Sequence, residues 1–154
     1  MYNSIVKAFI MHTENNHTLQ EKNMNYIVID LEFNQDLSED APETNEKDKS
    51  IPFEIIQIGA IKLDSQLNTL SSFNRLIKPT IYEKVSPFIT ILTGIDTNQL
   101  ISEDSFPVVY KDFIEFIGDQ DSVFCTWGMS DIKELFRNVK YHQLNYDLLP
   151  KKYI

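Results

Sequence analysis

The run Tyr26-Ile27-Val28-Ile29-Asp30-Leu31-Glu32-Phe33 constrains this chain more than any other segment. It is dense in β-branched and aromatic residues, so it reads as a strand buried on both faces and therefore central in a sheet. Side chains alternate along a strand, which puts Asp30 and Glu32 on the same face. Two carboxylates on an apolar central strand are costly unless something compensates their charge. They stand toward the C-terminal end of the run, the end at which open α/β sheets place ligands. A pair of divalent cations would compensate them. Two such ions about 3.5–4 Å apart can activate a water and stabilise the leaving oxygen of a phosphodiester displacement. By itself a D-x-E triplet is a weak signal, and an exposed acidic strand end explains it more simply.

The rest of the chain supplies context. Residues 1–23 are polar and aperiodic, the pattern of a flexible N-terminal arm, and the folded domain is expected over 24–154, beginning near Met24. His12 and His17 are five apart, a poor helical spacing for two metal ligands. Residues 34–50 hold six acids and no aromatic, the composition of a solvated acidic insertion. Strand composition returns from Glu54 to Leu63, turn chemistry follows at 64–68, and Leu70 to Ile77 makes a further strand. These three strands predict an antiparallel meander.

Ser86-Pro87 opens a short helix, and Thr97 to Ile101 is another. Ser105 caps a longer one, with Phe106, Val109, Phe113, Phe116 and Ile117 at helical spacing and Gly118 as its stop. Ser122 to Trp127 reads as a short buried strand, and Ser130 as the cap of a last helix with Ile132, Leu135, Phe136 and Val139 on one face. A strand reached through a helical crossover runs parallel to its neighbour. The expected fold is α/β: a ribonuclease-H-like mixed sheet, with an antiparallel meander followed by helices and a parallel strand.

A third acid joins the pair in this arrangement. If strand 122–127 lies beside strand 26–33, Asp131 arrives near Asp30 and Glu32. An acid favoured by the helix dipole explains Asp131 equally well. Bulk properties set limits. A net charge of −9 argues against broad, sequence-independent binding to duplex nucleic acid. It leaves room for an enzyme that meets phosphate through bound metal. No apolar run is long enough to span a membrane. The lone Cys125 and the lack of a recognisable signal peptide fit a reducing, cytoplasmic setting.

Four segments in order carry a family resemblance: Asp30-Leu31-Glu32-Phe33, Glu54-Ile55-Ile56-Gln57-Ile58-Gly59-Ala60, Leu92-Thr93-Gly94-Ile95 and Trp127-Gly128-Met129-Ser130-Asp131. Together they resemble the DEDDh exonucleases of the DnaQ-like superfamily, nearest its RNA-trimming and KapD-like branch, over about residues 24–154. The resemblance implies a 3'→5' exonuclease acting on RNA or single-stranded DNA 3' ends. It implies two magnesium or manganese ions held by Asp30, Glu32 and Asp131, the catalytic acids. It also implies substrate contacts from Phe33, Leu92 and Thr93, although a helix C-cap with Leu92 facing the core is the simpler reading of that segment.

Glu54 is expected to be a surface charge or to brace the first strand, Trp127 to pack beneath the site, and Cys125 to be a buried strand residue. The family's final His-x-x-x-x-Asp motif, source of the general base and a fourth acid, has no counterpart at suitable spacing. His142 lies only 11 residues after Asp131, and Asp147 is five further on. The expectation is a domain incomplete at its C-terminus, lacking the last strand and its helices and leaving apolar surface exposed. The alternatives are a catalytically impaired remnant or binding module that keeps the fold, and, more distantly, a ribonuclease-H-like endonuclease.

Overall fold

The computed structural model of the chain describes residues 24–35, 51–118 and 121–154. The expected N-terminal arm and all but the first two residues of the acidic insertion lie outside these residues. Strand β1 (Tyr26–Asn34) forms the centre of a mixed sheet with β2 (Glu54–Leu63), β3 (Thr69–Leu76), β4 (Val123–Cys125) and β5 (Lys152–Tyr153). The strand order is β3-β2-β1-β4-β5. The first three strands form the expected antiparallel meander, and β4 runs parallel to β1. A bulge between Glu32 and Phe33 shifts the β1–β2 register just beyond the two acids.

Two short helices, α1 (Pro87–Thr93) and α2 (Thr97–Leu100), follow the meander, and α3 (Phe106–Ile117) and α4 (Met129–Tyr141) flank β4. One face of β1, carrying Ile27, Ile29 and Leu31, packs with Phe106, Val109 and Phe113 of α3 and with Ile132 and Leu135 of α4. Fully burying each such side chain contributes about 1.5–3 kcal/mol, so this layer dominates the stability of the sheet. A separate cluster joins Ile56 to Val85, Ile89, Ile95 and Leu100, seating α1 and α2 against β2.

The structure corrects several local expectations. Asn34, assigned from composition to the solvated insertion, ends β1 and is fully buried. Helix α4 starts at Met129 with Gly128 as its cap residue, so Ser130 sits inside the first turn. A fifth strand was expected to be missing, yet Lys152 and Tyr153 pair parallel with Val123 and Phe124. Around that edge Trp127, Met129, Tyr146, Tyr153 and Ile154 are exposed, the apolar surface the sequence led one to expect. No helix among the described residues is long and apolar enough to cross a membrane.

Candidate active site

Asp30 and Glu32 project from the sheet face opposite the α3–α4 layer, and both line a cavity of about 420 Å³ on that open face. Their placement follows from alternation, because their neighbours Ile29 and Leu31 take the core side. Asp131 arrives from the adjacent parallel strand: β4 ends at Cys125, and the acid stands in the first turn of α4. The Thr126 hydroxyl donates to Asp131 Oδ2 at 2.7 Å and fixes that carboxyl.

The three acids feel one another. Burial pushes the Glu32 carboxyl above its ordinary range, and the charges of Asp30 and then Asp131 push the same way. Burial also raises Asp131, against the pull of the Thr126 hydroxyl and with a smaller push from Asp30. Like charges converging in a half-buried position are what a bound cation would relieve.

The donor set suits a hard divalent ion. Three carboxylates offer only oxygen, the ligand type of Mg²⁺ and Mn²⁺. Among the described residues no group of three His, Cys, Asp or Glu side chains is gathered tightly enough to hold an ion as it stands. The fit therefore lies in donor chemistry and in mutual electrostatic reach rather than in a closed coordination shell.

The residues expected to touch substrate separate into two kinds. Thr93 lines a second cavity, of about 470 Å³, with Gly94, Gln99, Gln57 and Asn74. Its hydroxyl donates to Ile89 O at 2.8 Å and accepts from Ile95 N at 3.1 Å, locking the end of α1. Gly94 caps α1 in the left-handed region at φ 76°. Leu92 is 69% exposed rather than facing the core, and it lines neither cavity. Phe33, on the same side of β1 as Leu31, packs at the margin of the main core and meets Phe53 edge-on at 6.0 Å. It is not a wall of either cavity.

Trp127 does not pack beneath the site but is 82% exposed on the loop leading to Asp131. Glu54 is buried and braces a loop rather than β1: its carboxylate accepts from the backbone N–H groups of Thr80, Ile81 and Tyr82. Its register partner Asn34 donates to Tyr82 O and Lys84 O and accepts from Ser86 N. This pair holds the segment that feeds directly into α1. His142 lies at the far end of α4, roughly 16 Å along the axis from Asp131 at about 1.5 Å per residue. It stacks on Phe106 at 5.2 Å, and Asp147 pairs with Lys151, so neither faces the three acids. Cys125 is buried in β4 as expected.

Comparison with known proteins decides the family. Residues 27–149 match the exonuclease family typified by RNase T, most of the chain. The chain belongs to that exonuclease family. No curated protein sequence matches it. Among solved structures it is similar to the nuclease domain of 3'hExo, a DEDDh family member bound to rAMP, at 24% identity and TM-score 0.65, covering 83% of this chain and 64% of that one. It is similar to cell-death related nuclease 4 at 20% identity and TM-score 0.63, covering 80% and 42%. It is also similar to E. coli exonuclease I in complex with a dT13 oligonucleotide, at 14% identity and TM-score 0.61, covering 81% and 25%. At these identities the likeness is one of fold. The chain spans less than two thirds of the length of these solved chains.

Proposed function

We propose that this chain carries the metal-binding part of a DEDDh-type 3'→5' exonuclease acting on RNA or single-stranded DNA. The observation that carries the proposal is that Asp30 and Glu32 line an open cavity while Asp131, in the first turn of the helix after the parallel strand β4, is close enough for its charge to push Glu32 upward. Membership of the exonuclease family and the titles of the fold neighbours support the same reading.

In this reading Asp30 and Glu32 hold two Mg²⁺ or Mn²⁺ ions from β1, and Asp131 holds them from α4. When bound, such ions neutralise phosphate charge and provide an activated water. The chain's own residues do the rest. Thr126 keeps the Asp131 carboxyl oriented through its hydroxyl. Thr93 lines the cavity at the end of α1 and would meet the terminal nucleotide there, whereas exposed Leu92 and core-margin Phe33 line neither cavity. Hydrolysis would join a water oxygen to phosphorus and break the P–O3' bond, leaving a 5'-nucleotide and a strand shortened by one with a free 3'-hydroxyl. Cations held by three acids also reconcile a net charge of −9 with a polyanionic substrate.

A second reading is a binding module with little or no hydrolysis. It is favoured by the position of His142, the one histidine among the described residues, which is remote from the acids. Loss of general-base help costs roughly 10²–10⁴-fold. A 5'-labelled oligonucleotide with Mn²⁺ separates the two. Stepwise shortening that disappears in Asp30→Ala supports the exonuclease. Binding without shortening, unchanged in Asp30→Ala, supports the module. The single Trp127, exposed four residues before Asp131, gives a fluorescence signal for binding in either case.

A further inference from the structure

We infer that Gln57 and Asn74 form a nucleobase-binding subsite on the open face of the sheet, between the acids and the end of α1. This deepens the nuclease reading above and rests on it. The strand register lays out the geometry. Asp30 pairs with Gly59, which pairs with Asn74, and Glu32 pairs with Gln57. All of these positions face the cavity that holds the acids. A row that starts with a carboxylate and ends with an amide therefore has no side chain at its middle position, and the floor sinks there.

Packing does not demand that glycine. A Cβ built on Gly59 would meet Asp30 O at 3.4 Å, ordinary van der Waals contact, and the residue has no positive φ. What an added side chain would do is fill the trough. The cavity volume, about 420 Å³, falls in the range of small-molecule sites. Gln57 and Asn74 also line the second cavity, together with Thr93 and Gln99. The two amides thus stand where the space beside the acids meets the space beside α1.

Their hydrogen bonding leaves a complementary face. Gln57 Nε2 donates to Asn74 Oδ1 at 2.8 Å. That bond uses one donor and one acceptor, so Gln57 Oε1 and the Asn74 amide NH₂ stay available. Turning both amides over exchanges their roles and still leaves one carbonyl and one NH₂. An adjacent acceptor and donor match the mixed edge of a nucleobase, the pairing that makes Asn and Gln partners of adenine edges. Single-stranded substrates expose that edge. Ser72 adds a hydroxyl on the same floor. A nucleotide whose phosphate lies at Asp30 and Glu32 would set its base over Gly59 and against the two amides.

The test uses the four nucleoside 5'-monophosphates as probes, followed by ¹⁵N NMR of the side-chain amides of the whole chain with Mg²⁺ present. AMP is expected to shift the Gln57 and Asn74 side-chain resonances. Gln57→Ala and Asn74→Ala should each weaken AMP binding by about tenfold, the loss of roughly one hydrogen bond, with inorganic phosphate binding unchanged. Gly59→Val fills the floor while keeping both amide residues and should block AMP while leaving the circular dichroism spectrum intact. If AMP moves resonances near Asp30 but neither amide, or binds both alanine variants with wild-type affinity, the subsite is overturned and the nuclease reading stands. If no mononucleotide perturbs the spectrum, the subsite is overturned as well, and oligonucleotide shortening judges the nuclease reading separately.

Discussion

Asn34→Ala offers a direct measure of how firmly α1 is held beside the site. The Asn34 side chain is fully buried and makes three hydrogen bonds to the backbone of 82–86: Nδ2 to Tyr82 O at 3.1 Å and to Lys84 O at 3.0 Å, and Ser86 N to Oδ1 at 3.2 Å. Alanine leaves two carbonyls and one N–H without that partner. A net hydrogen bond contributes about 0.5–1.5 kcal/mol, so three together give roughly 3 kcal/mol. For a chain of this length that is a fall of roughly 6–12 °C in melting temperature. Urea unfolding at pH 7, followed by far-UV circular dichroism, measures the loss directly. Asn34→Asp keeps the acceptor for Ser86 but turns a carboxylate oxygen toward two carbonyls, so it should destabilise at least as much as alanine. A loss below about 0.5 kcal/mol for alanine, or a milder loss for aspartate than for alanine, would show that Asn34 does not anchor this segment.

Other outcomes follow from the same geometry. Glu32 is raised by burial and by Asp30 and Asp131, so without metal the folded chain holds its proton more tightly than the unfolded chain. That contribution to stability is present at low pH and lost as pH rises through the raised value. Asp30→Asn should therefore raise the metal-free melting temperature at pH 7. It should also abolish the stabilisation by Mn²⁺, about 2.7 kcal/mol for the wild type at a hundredfold excess over Kd; calorimetry with and without Mn²⁺ reads both. Burial lowers His142, so the unfolded chain protonates first on acidification and stability falls as pH drops below about 6.5. His142→Phe keeps the stack on Phe106 and should flatten the profile between pH 6.5 and 5, by at most about 1.4 kcal/mol per pH unit, when urea midpoints are compared. Gly94→Ala meets no atom within 4 Å but must hold φ 76°, which should cost about 1–2 kcal/mol in the same titration.

Much of this arrangement was legible along the chain because it is encoded by local periodicity. The alternation around Asp30 fixed which face the two acids share, and the stripe on α3 fixed which face it buries. The order of meander, crossover and parallel strand then brought Asp131 to β1. The misreadings fall where side chains answer to distant backbone. Asn34 and Glu54 looked like solvent-facing polar residues, yet they are buried because the backbone of 80–86 offers them partners some 26–52 residues away. Trp127 looked like a core residue by type, and its exposure depends on where the β4–α4 loop leaves the sheet.

The sequence by itself determined the central strand, its paired carboxylates and the order of elements, since each rests on neighbours within a few residues. Only the tertiary structure decided how the site is walled. Gln57, Gly59 and Asn74 come from different strands, and cross-strand register alone lines them up with Asp30 and Glu32. That register is set by β-sheet hydrogen bonding between strands distant along the chain, which no single segment encodes.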